Sequence, residues 1–407
     1  VESELSKFSL MDPNSSEYIG TRNFLELVTL LPWKKEEFEN YDISSAQKIL
    51  ETDHFGLDDV KKRIVEYLSV RKMKKDSKGS IVILVGPPGV GKTSVGHSIA
   101  KSMNKPFYRF SVGGMRDEAE IKGHRRTYIG AMPGKIIQGL KITKSNSPVF
   151  MIDEVDKMGS SHNGDPASAL LEVLDPEQNV TFRDNYLDLP FDISNVFFIL
   201  TANTLDSIPS PLLDRAEIIQ LSGYIDQEKL EIAKKYLIPK NLEKNGLKKN
   251  QVKYTKNALL TIAQEYAREA GVRHYEKCLD KINRKIVTQL IKDYEASAVK
   301  QTENNNGNKE EKILKDESIL SKQLTIDSPD LFNYLGKPSF DESEIKTAKI
   351  PGTAIGLAWT SMGGDTLLLE ATSFASKQGL ILTGQMGDVM KESSQIAFNW
   401  AKKFAIE

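Results

Sequence analysis

The sequence has few of the features that mark disulfide-rich, membrane-spanning, nucleic-acid-binding or metal-binding proteins. It contains one cysteine, Cys278, which cannot form an internal disulfide and so favours a reducing compartment over a disulfide-built secreted scaffold. No run of about 18 apolar residues occurs, so we expect no membrane span. The formal net charge is −1, from 55 Lys and Arg against 56 Asp and Glu, which removes any global electrostatic case for nucleic-acid binding. The five histidines show no metal-ligand spacing, so we expect no structural metal.

Apolar periodicity separates two kinds of secondary structure along the chain. Residues 81–85, 149–152 and 196–200 are short continuous apolar runs, typical of parallel strands that are buried on both faces. Helical patterns lie between these runs, and this alternation predicts an α/β sheet covered by helices on both sides. After about residue 223 helical periodicity takes over, which predicts a small α-helical domain.

A phosphate-binding motif follows the first apolar run. Residues 86–93 match the pattern G-x-x-x-x-G-K-[ST] directly after a predicted strand and directly before a predicted helix. The backbone N–H groups of such a loop surround phosphate oxygens, and the helix N-terminus adds its dipole. Lys92 would reach the β- and γ-phosphates, and Thr93 would offer its hydroxyl to Mg²⁺. The candidate nucleotide-binding residues are Gly86, Pro87, Pro88, Gly89, Val90, Gly91, Lys92 and Thr93.

Two adjacent carboxylates end the second apolar run. Asp153 would belong to the Mg²⁺ shell, and Glu154 would orient and activate the attacking water. The alternative, two solvated acids at the end of a strand, is weakened by the phosphate motif upstream. The sequence therefore predicts hydrolysis of ATP with Mg²⁺ as cofactor.

Three further residues are candidates for the same site. Asn203 follows the third apolar run, where an amide can hold the water or contact the γ-phosphate, although an ordinary turn asparagine is the alternative. Arg215 is a candidate arginine finger, with a surface ion pair as the alternative. Arg273 begins a predicted helix, where the helix dipole disfavours a cation. This misfit favours a functional role for Arg273.

With these residues in this order, the chain resembles the AAA+ ATPases, and more closely the Lon protease family. The resemblance extends from about residue 18 to the C-terminus. Residues 107–115 and the polar segment 301–312 resemble the mitochondrial branch more than the bacterial one, which implies the mitochondrial matrix, with the bacterial cytoplasm as the alternative. The motifs that carry the resemblance are TDHFGL at 52–57, GPPGVGKTS at 86–94, RDEAEI at 116–121, GHRRTYIG at 123–130, GDPASALLEVLDPEQN at 164–179 and GVR at 271–273.

The resemblance implies further roles. Arg215 would act on the nucleotide of a neighbouring subunit, which implies a homohexamer. Tyr128 and Ile129 would project into a central channel, where an aromatic ring grips an unfolded chain without reading its sequence. Without the family, residues 123–134 would be interpreted as a surface loop or a basic nucleic-acid patch, and residues 158–164 resemble a second channel loop. An adenine pocket is implied for His54, Phe55, Gly56 and Leu57, for which a local turn with a buried Phe55 is the alternative.

The proteolytic residues of the family are missing from this sequence. Lon proteases cleave with a Ser–Lys dyad in a glycine-flanked motif, and residues 356–407 resemble only the opening part of that domain. We interpret Ser393 and Ser394 as helix-surface or packing residues. The implied function is the ATPase and unfoldase portion of an ATP-dependent serine protease acting on misfolded, damaged or regulatory proteins.

Two other functions stay open at the level of sequence. An ATP-driven chaperone or assembly factor would remodel partners without cutting them. A DNA-associated AAA+ protein, such as a clamp or helicase loader, is disfavoured by the balanced charge and by Tyr128; DNA association is known in the family, and this sequence does not support it.

The predicted organisation has four regions. They are residues 1–42, the end of an N-terminal helical region; 43–223, an AAA+ α/β nucleotide-binding domain; 224–340, an α-helical lid with a polar insert near 301–312; and 350–407, the N-terminal part of a proteolytic domain. The insert lacks any apolar anchor, so we expect a solvated or disordered loop there.

Overall fold

The computed structural model of the chain describes most of the 407 residues. The chain divides into two compact units, Val1–Glu342 and Ser343–Glu407. The described residues are 2–34, 42–73, 81–128, 130–159, 165–297, 299–305, 308–314, 318–340, 350–360, 363–373, 379–384 and 386–406.

A five-stranded sheet forms the centre of the first unit. Its strands are all parallel, and Ile81 pairs with Phe198 while Val85 pairs with Ala202. Every residue of the strands Ile81–Val85 and Phe197–Ala202 is buried, as the continuous apolar runs predict. The spatial order is Phe107–Ser111, Val149–Asp153, Phe197–Ala202, Ile81–Val85 and Glu217–Gln220.

Helices cover both faces of this sheet, which confirms the predicted α/β architecture. Ile83, Phe150 and Leu200 pack in one apolar core, and their strand neighbours Leu84 and Met151 pack in the other, because successive strand residues face opposite sides. The helices of this part are Glu2–Leu10, Ser16–Leu30, Ile43–Asp53, Asp58–Met73, Lys92–Ser102, Ala119–Lys122, Lys135–Thr143, Pro166–Leu174 and Ser210–Leu213.

A mainly helical lid follows the sheet and has its own apolar core. Tyr275 lies fully buried at its centre. Two short strands, Val252–Tyr254 and Leu324–Ile326, pair in parallel at its side, a feature that the helical periodicity does not predict. The lid helices are Asp226–Ile232, Ile238–Lys244, Lys256–Thr261, Arg273–Ala296 and Leu331–Leu335, with π-helical turns at Ala233–Leu237 and Ile262–Tyr266.

The polar insert of the lid differs from its prediction. Val299–Asn305 and Asn308–Leu314 form an antiparallel pair, so the expectation of a loop is wrong for these residues. The two residues between the strands, Asn306-Gly307, lie outside the described part of the chain. Asn-Gly is the dipeptide preferred in two-residue hairpin loops, and it is the sequence signal that could have found the hairpin. Backbone pairing needs no apolar side chain, which is why composition missed it.

The second unit contains one hairpin and one long helix. The strands Thr353–Thr360 and Gly363–Glu370 pair antiparallel. Gly363 pairs with Thr360 and Gly364 pairs with Trp359, so both glycines belong to the second strand. Ser393 and Ser394 lie in the helix Asp388–Ile406, as expected. None of the helices in the described residues is long and apolar enough to cross a membrane.

Candidate active site

The loop 86–93 has a backbone conformation that depends on its glycines. Gly89 and Gly91 have φ of +83° and +93°, in the left-handed region that favours glycine. A Cβ on Gly86 would lie 2.3 Å from the carbonyl oxygen of Leu221, so this position also has no room for a side chain. The helix Lys92–Ser102 begins immediately after the loop, which places its free N–H groups and its dipole at the loop.

Lys92 and Asn203 are brought together, although they are far apart in sequence. The Lys92 Nζ donates to the Asn203 Oδ1 at 2.8 Å and contacts the carbonyl oxygens of Gly86 and Pro87. Burial lowers the pKa of Lys92 below the ordinary lysine value, opposed by the charges of Asp156 and Asp153. The ammonium is therefore partly desolvated at the loop, where added phosphate charge would favour its protonated form.

Asp153 is buried, and both of its carboxylate oxygens are bonded. Its Oδ1 accepts from the Thr201 hydroxyl, and its Oδ2 accepts from the Arg109 Nε at 2.6 Å. Arg109 and Thr201 were not among the sequence candidates. Thr201 directly follows a predicted strand, at the edge where the polar groups of a parallel sheet gather, whereas Arg109 lies within the strand Phe107–Ser111, which was not predicted.

A further carboxylate, Asp156, contacts the backbone of Asn203 and was also missed by the sequence analysis. Its Oδ2 accepts from the Asn203 backbone N–H at 3.0 Å. Its Oδ1 is buried and has no hydrogen-bond partner within the described residues. An unsatisfied buried carboxylate oxygen is costly. The chemistry of Asp153, Asp156 and the Thr93 hydroxyl therefore fits Mg²⁺, which prefers oxygen ligands and retains water.

Glu154 occupies a left-handed backbone position with φ of +60°. Its Oε1 accepts from the Lys157 Nζ at 2.5 Å, and this bond raises the pKa of Lys157. A Cβ on Gly113 would lie 2.5 Å from the Glu154 Oε2, so the glycine leaves the space that this carboxylate uses. The Glu154 side chain remains 45% exposed, which leaves it accessible to water.

The lid contacts the phosphate loop directly. The Val272 backbone N–H donates to the Gly89 carbonyl oxygen at 3.1 Å. A Cβ on Gly271 would lie 2.5 Å from the Pro88 carbonyl oxygen. Arg273 is the first residue of the helix Arg273–Ala296, as predicted, and its Cβ lies against Gly89. The structure thus brings Arg273 to the loop, while its role toward a phosphate stays a prediction.

Arg215 has a different environment. Its Nη1 lies 3.5 Å from the Asp175 Oδ2, and its side chain is 44% exposed. This is the surface ion pair that the alternative interpretation describes. No contact between Arg215 and residues 86–93 is found among the described residues.

A cavity of about 750 Å³ lies next to the phosphate loop. Gly56 and Leu57 line it, as an adenine pocket would require. His54 and Phe55 do not line it: His54 is buried with its Nε2 3.0 Å from the Ser98 hydroxyl, and Phe55 packs against the lid core. The full lining is Gly56, Leu57, Asp58, Asp59, Val60, Val85, Gly86, Gln220, Leu221, Ser222 and Glu228.

The predicted channel residue Tyr128 lies at an exposed position. Its side chain is 64% exposed, although large apolar rings are usually buried. The His124 N–H donates to the Met132 carbonyl oxygen at 3.0 Å and closes the loop around Tyr128. Ile129 and residues 160–164, which include most of the second predicted channel loop, lie outside the described part of the chain.

Comparison with known families matches three consecutive parts of the chain. Residues 82–224 match the ATPase family associated with various cellular activities (AAA). Residues 243–299 match the Lon protease AAA+ ATPase lid domain, and residues 325–407 match the Lon protease (S16) C-terminal proteolytic domain. The packing divides the chain differently from the last match, because Ile326 and Leu331 are buried in the lid core.

Curated relatives extend this similarity to the whole chain. It is 59% identical over its full length to the Lon protease of Treponema pallidum, covering 44% of that protein. It is 56% identical to Lon protease 1 of Borreliella burgdorferi, over 98% of this chain and 47% of that protein. The Lon protease of Leptospira interrogans is 52% identical, over 99% of this chain and 45% of that protein. The chain thus spans less than half the length of these relatives.

These relatives are bacterial, so the expectation of a mitochondrial branch has no support from them. Among solved structures, a Thermotoga maritima RuvB chain aligns with 62% of this chain and 68% of its own length, with a TM-score of 0.40 and 17% identity. That likeness is too small to support an argument.

Proposed function

Because this chain belongs to the Lon protease family, we propose that it is the ATP-hydrolysing and substrate-unfolding portion of an ATP-dependent serine protease. The observation that carries the proposal is the meeting of three sequence-distant parts at one loop: Lys92 on the loop, Asn203 after a neighbouring strand, and Gly271–Arg273 at the start of the long lid helix. A loop that joins a rigid sheet to a lid can convert the state of a bound phosphate into lid movement.

ATP with Mg²⁺ is the cofactor that these residues fit. When bound, the metal neutralises charge that develops on the phosphates. In the proposal, the backbone of residues 86–91 and Lys92 hold the phosphates, and Thr93 with Asp153 holds the metal shell. Asp156 supplies the further buried oxygen next to Asn203. Gly56 and Leu57 bind the adenine in the adjoining cavity.

In the proposed hydrolysis, each of the remaining side chains has one role. Glu154 accepts a proton from the attacking water, which requires that the carboxylate leave its ion pair with Lys157. Asn203 holds that water or the γ-phosphate through the amide that now contacts Lys92. Arg273 reaches the phosphates from the lid and reports their loss when the lid moves.

The exposed position of Arg215 supports a role in trans. We propose that it leaves Asp175 and contacts the nucleotide of a neighbouring subunit in a homohexamer, where a positive charge stabilises the transition state. Mass in solution with and without a slowly hydrolysed ATP analogue tests this: we expect nucleotide to favour the hexamer in the full-length protein, and Arg215→Ala to weaken that linkage. A mass that does not respond to nucleotide contradicts the role in trans.

Tyr128 is the proposed substrate contact. With Ile129, it would grip unfolded, damaged or misfolded polypeptides and move them toward a Ser–Lys protease chamber. The bacterial relatives favour the cytoplasm as the location. The alternative function, an ATP-driven chaperone without proteolysis, differs in one readout: substrate would be unfolded and released at its full length.

The substitution Glu154→Gln tests the assignment of the site. Since the loop and Asp153 are unaltered, we expect ATP to bind with near wild-type affinity while hydrolysis falls by about 10² to 10⁴ fold. Glu231→Gln is the matched control, because Glu231 also pairs with a lysine three residues later, at the lid surface. Hydrolysis by Glu154→Gln within a few fold of wild type would remove Glu154 from its proposed role.

A further inference from the structure

The loop that carries Tyr128 has a narrow neck, formed by Gly123 and Gly134. A Cβ on Gly134 would lie 2.0 Å from the carbonyl oxygen of Ile121 and 2.7 Å from the nitrogen of Gly123. Gly123 has φ of +82°, and a Cβ there would lie 2.6 Å from the Asp184 Oδ1. The two ends of the loop therefore touch each other, and both touch a carboxylate from a distant part of the chain.

Asp184 and Asn185, which lie outside the loop, form hydrogen bonds with this neck. The Asp184 Oδ2 accepts from the Gly134 N–H at 2.6 Å, and its Oδ1 accepts from the N–H groups of Tyr186 and Leu187. The Asn185 Nδ2 donates to the Gly123 carbonyl oxygen at 3.0 Å. Asp184 is fully buried, and a buried carboxylate is tolerated only with such donors. The neck is thus held at both ends.

The segment that contains Asp184 and Asn185 also contains the ion-pair partner of Arg215. Asp175, the ion-pair partner of Arg215, accepts through its carbonyl oxygen from the Asn179 N–H at 3.0 Å. The Asn179 carbonyl oxygen in turn accepts from the Ile193 N–H at 2.9 Å, which closes the segment that contains Asp184. A continuous hydrogen-bonded segment, residues 175–193, therefore connects the Arg215 ion pair with the neck.

We propose that Asp184 and Asn185 are positioning residues for substrate translocation, and this rests on the proposed function. They make the neck rigid, so that a displacement of the segment 175–193 carries Tyr128 with it. A loop that is loose at its base would absorb the same displacement, because loop backbone deforms more readily than a bonded neck. Loss of the hydrogen bonds from Asp184 and Asn185 to the neck therefore uncouples ATP hydrolysis from substrate movement.

The test compares three single variants in the full-length protein. Asp184→Asn replaces the carboxylate that the Gly134 N–H needs, and Asn185→Asp replaces the amide that donates to Gly123 by a carboxylate, at an exposed position. Asp188→Asn is the control, because Asp188 is exposed, lies four residues from Asp184 and has φ of +49°, which asparagine tolerates. The measurements are amide hydrogen exchange over residues 123–134 and the ATP hydrolysed per folded reporter molecule unfolded.

We expect exchange over 123–134 to accelerate about tenfold or more in Asp184→Asn, since a charge-assisted hydrogen bond is lost. Exchange over 86–102 should stay within about twofold of wild type. The ATP used per unfolded reporter should rise at least about threefold, while processing of an already unfolded reporter changes less. Asn185→Asp should shift both readouts in the same direction by a smaller factor, and Asp188→Asn should match wild type.

Two results overturn the inference. One is faster exchange at the neck with an unchanged ATP cost per reporter, which would make the grip merely structural. The other is unchanged exchange at the neck. If Asp184→Asn does not fold, Asn185→Asp decides by the same two readouts. Failure of the proposed function is seen separately, as a wild-type protein that hydrolyses ATP without unfolding any reporter.

Discussion

The substitution Gly271→Ala tests the contact by which the lid reaches the phosphate loop. The added methyl group would lie 2.5 Å from the Pro88 carbonyl oxygen and 2.5 Å from the Gly89 carbonyl carbon. A carbon normally stays about 3.3 Å or more from such atoms, so the lid or the loop must move by roughly 0.8 Å. Both obstacles are backbone atoms, which cannot rotate away as a flexible side chain can.

The size of the effect depends on whether the lid or the phosphate loop moves. Overpacking of this kind, with the backbone shifts that it forces, costs about 1–3 kcal/mol of folding free energy. The strain is relieved if the lid retracts, and the proposed contact of Arg273 with the phosphates is then lost, because Arg273 lies two residues beyond Gly271 on the same chain segment. Losing a hydrogen bond to a charged group costs about 1.5–3 kcal/mol, so we expect nucleotide affinity to fall by about 10- to 100-fold.

The assay is titration of Gly271→Ala with a fluorescent ATP analogue in the presence of Mg²⁺, alongside urea denaturation. Gly20→Ala is the control, since Gly20 lies in the helix Ser16–Leu30 with open space around its Cα, where alanine is favourable. If Gly271→Ala binds nucleotide within about twofold of wild type and unfolds at the same urea concentration, the described contact between lid and loop does not govern nucleotide binding.

Two further predictions concern the channel loop and the first helix of the nucleotide domain. We expect Tyr128→Ala to abolish unfolding of a folded reporter while most ATP hydrolysis remains, because Tyr128 is exposed and its hydrogen bonds to other described residues are made by its backbone. Persistent unfolding in a turnover assay would exclude the channel role. Burial lowers the pKa of His54 below its ordinary 6.5, so the unfolded chain takes up this proton first and stability is lost as pH falls through 6.5. The urea midpoint of wild type should therefore drop from about pH 7.5 to about pH 5.5 by more than that of His54→Gln, and equal drops in both proteins would contradict a buried neutral His54.

Contiguous motifs were readable from the sequence because their function depends on neighbouring residues. The phosphate loop needs its glycines and Lys92 at fixed spacing in one strand–turn–helix unit, and the structure places that unit between Ile81–Val85 and Lys92–Ser102. The continuous apolar runs likewise predicted the buried parallel strands, because burial on both faces requires apolar residues at every position. The polar hairpin of the lid was missed, since its pairing depends on backbone and turn rather than on apolar residues.

Side chains whose partners are distant in sequence could not be predicted in this way. Arg109 bonds to Asp153 across 44 positions, and Asp184 bonds to Gly134 across 50. Neither residue belongs to a recognisable local pattern, because an arginine on a strand or an aspartate in a turn has many ordinary roles. The parallel register that sets Ser111 opposite Asp153 is what brings Arg109 to this carboxylate.

By itself, the sequence determined the phosphate-loop motif, the covered parallel sheet and the resemblance to the family, because each depends on the order and type of nearby residues. Only the tertiary structure decided that His54 and Phe55 lie away from the cavity beside the loop. It also decided that Arg215 is paired with Asp175 and that the Tyr128 loop is held by Asp184. These facts depend on which strands and helices pack together, and packing joins residues that no local spacing connects.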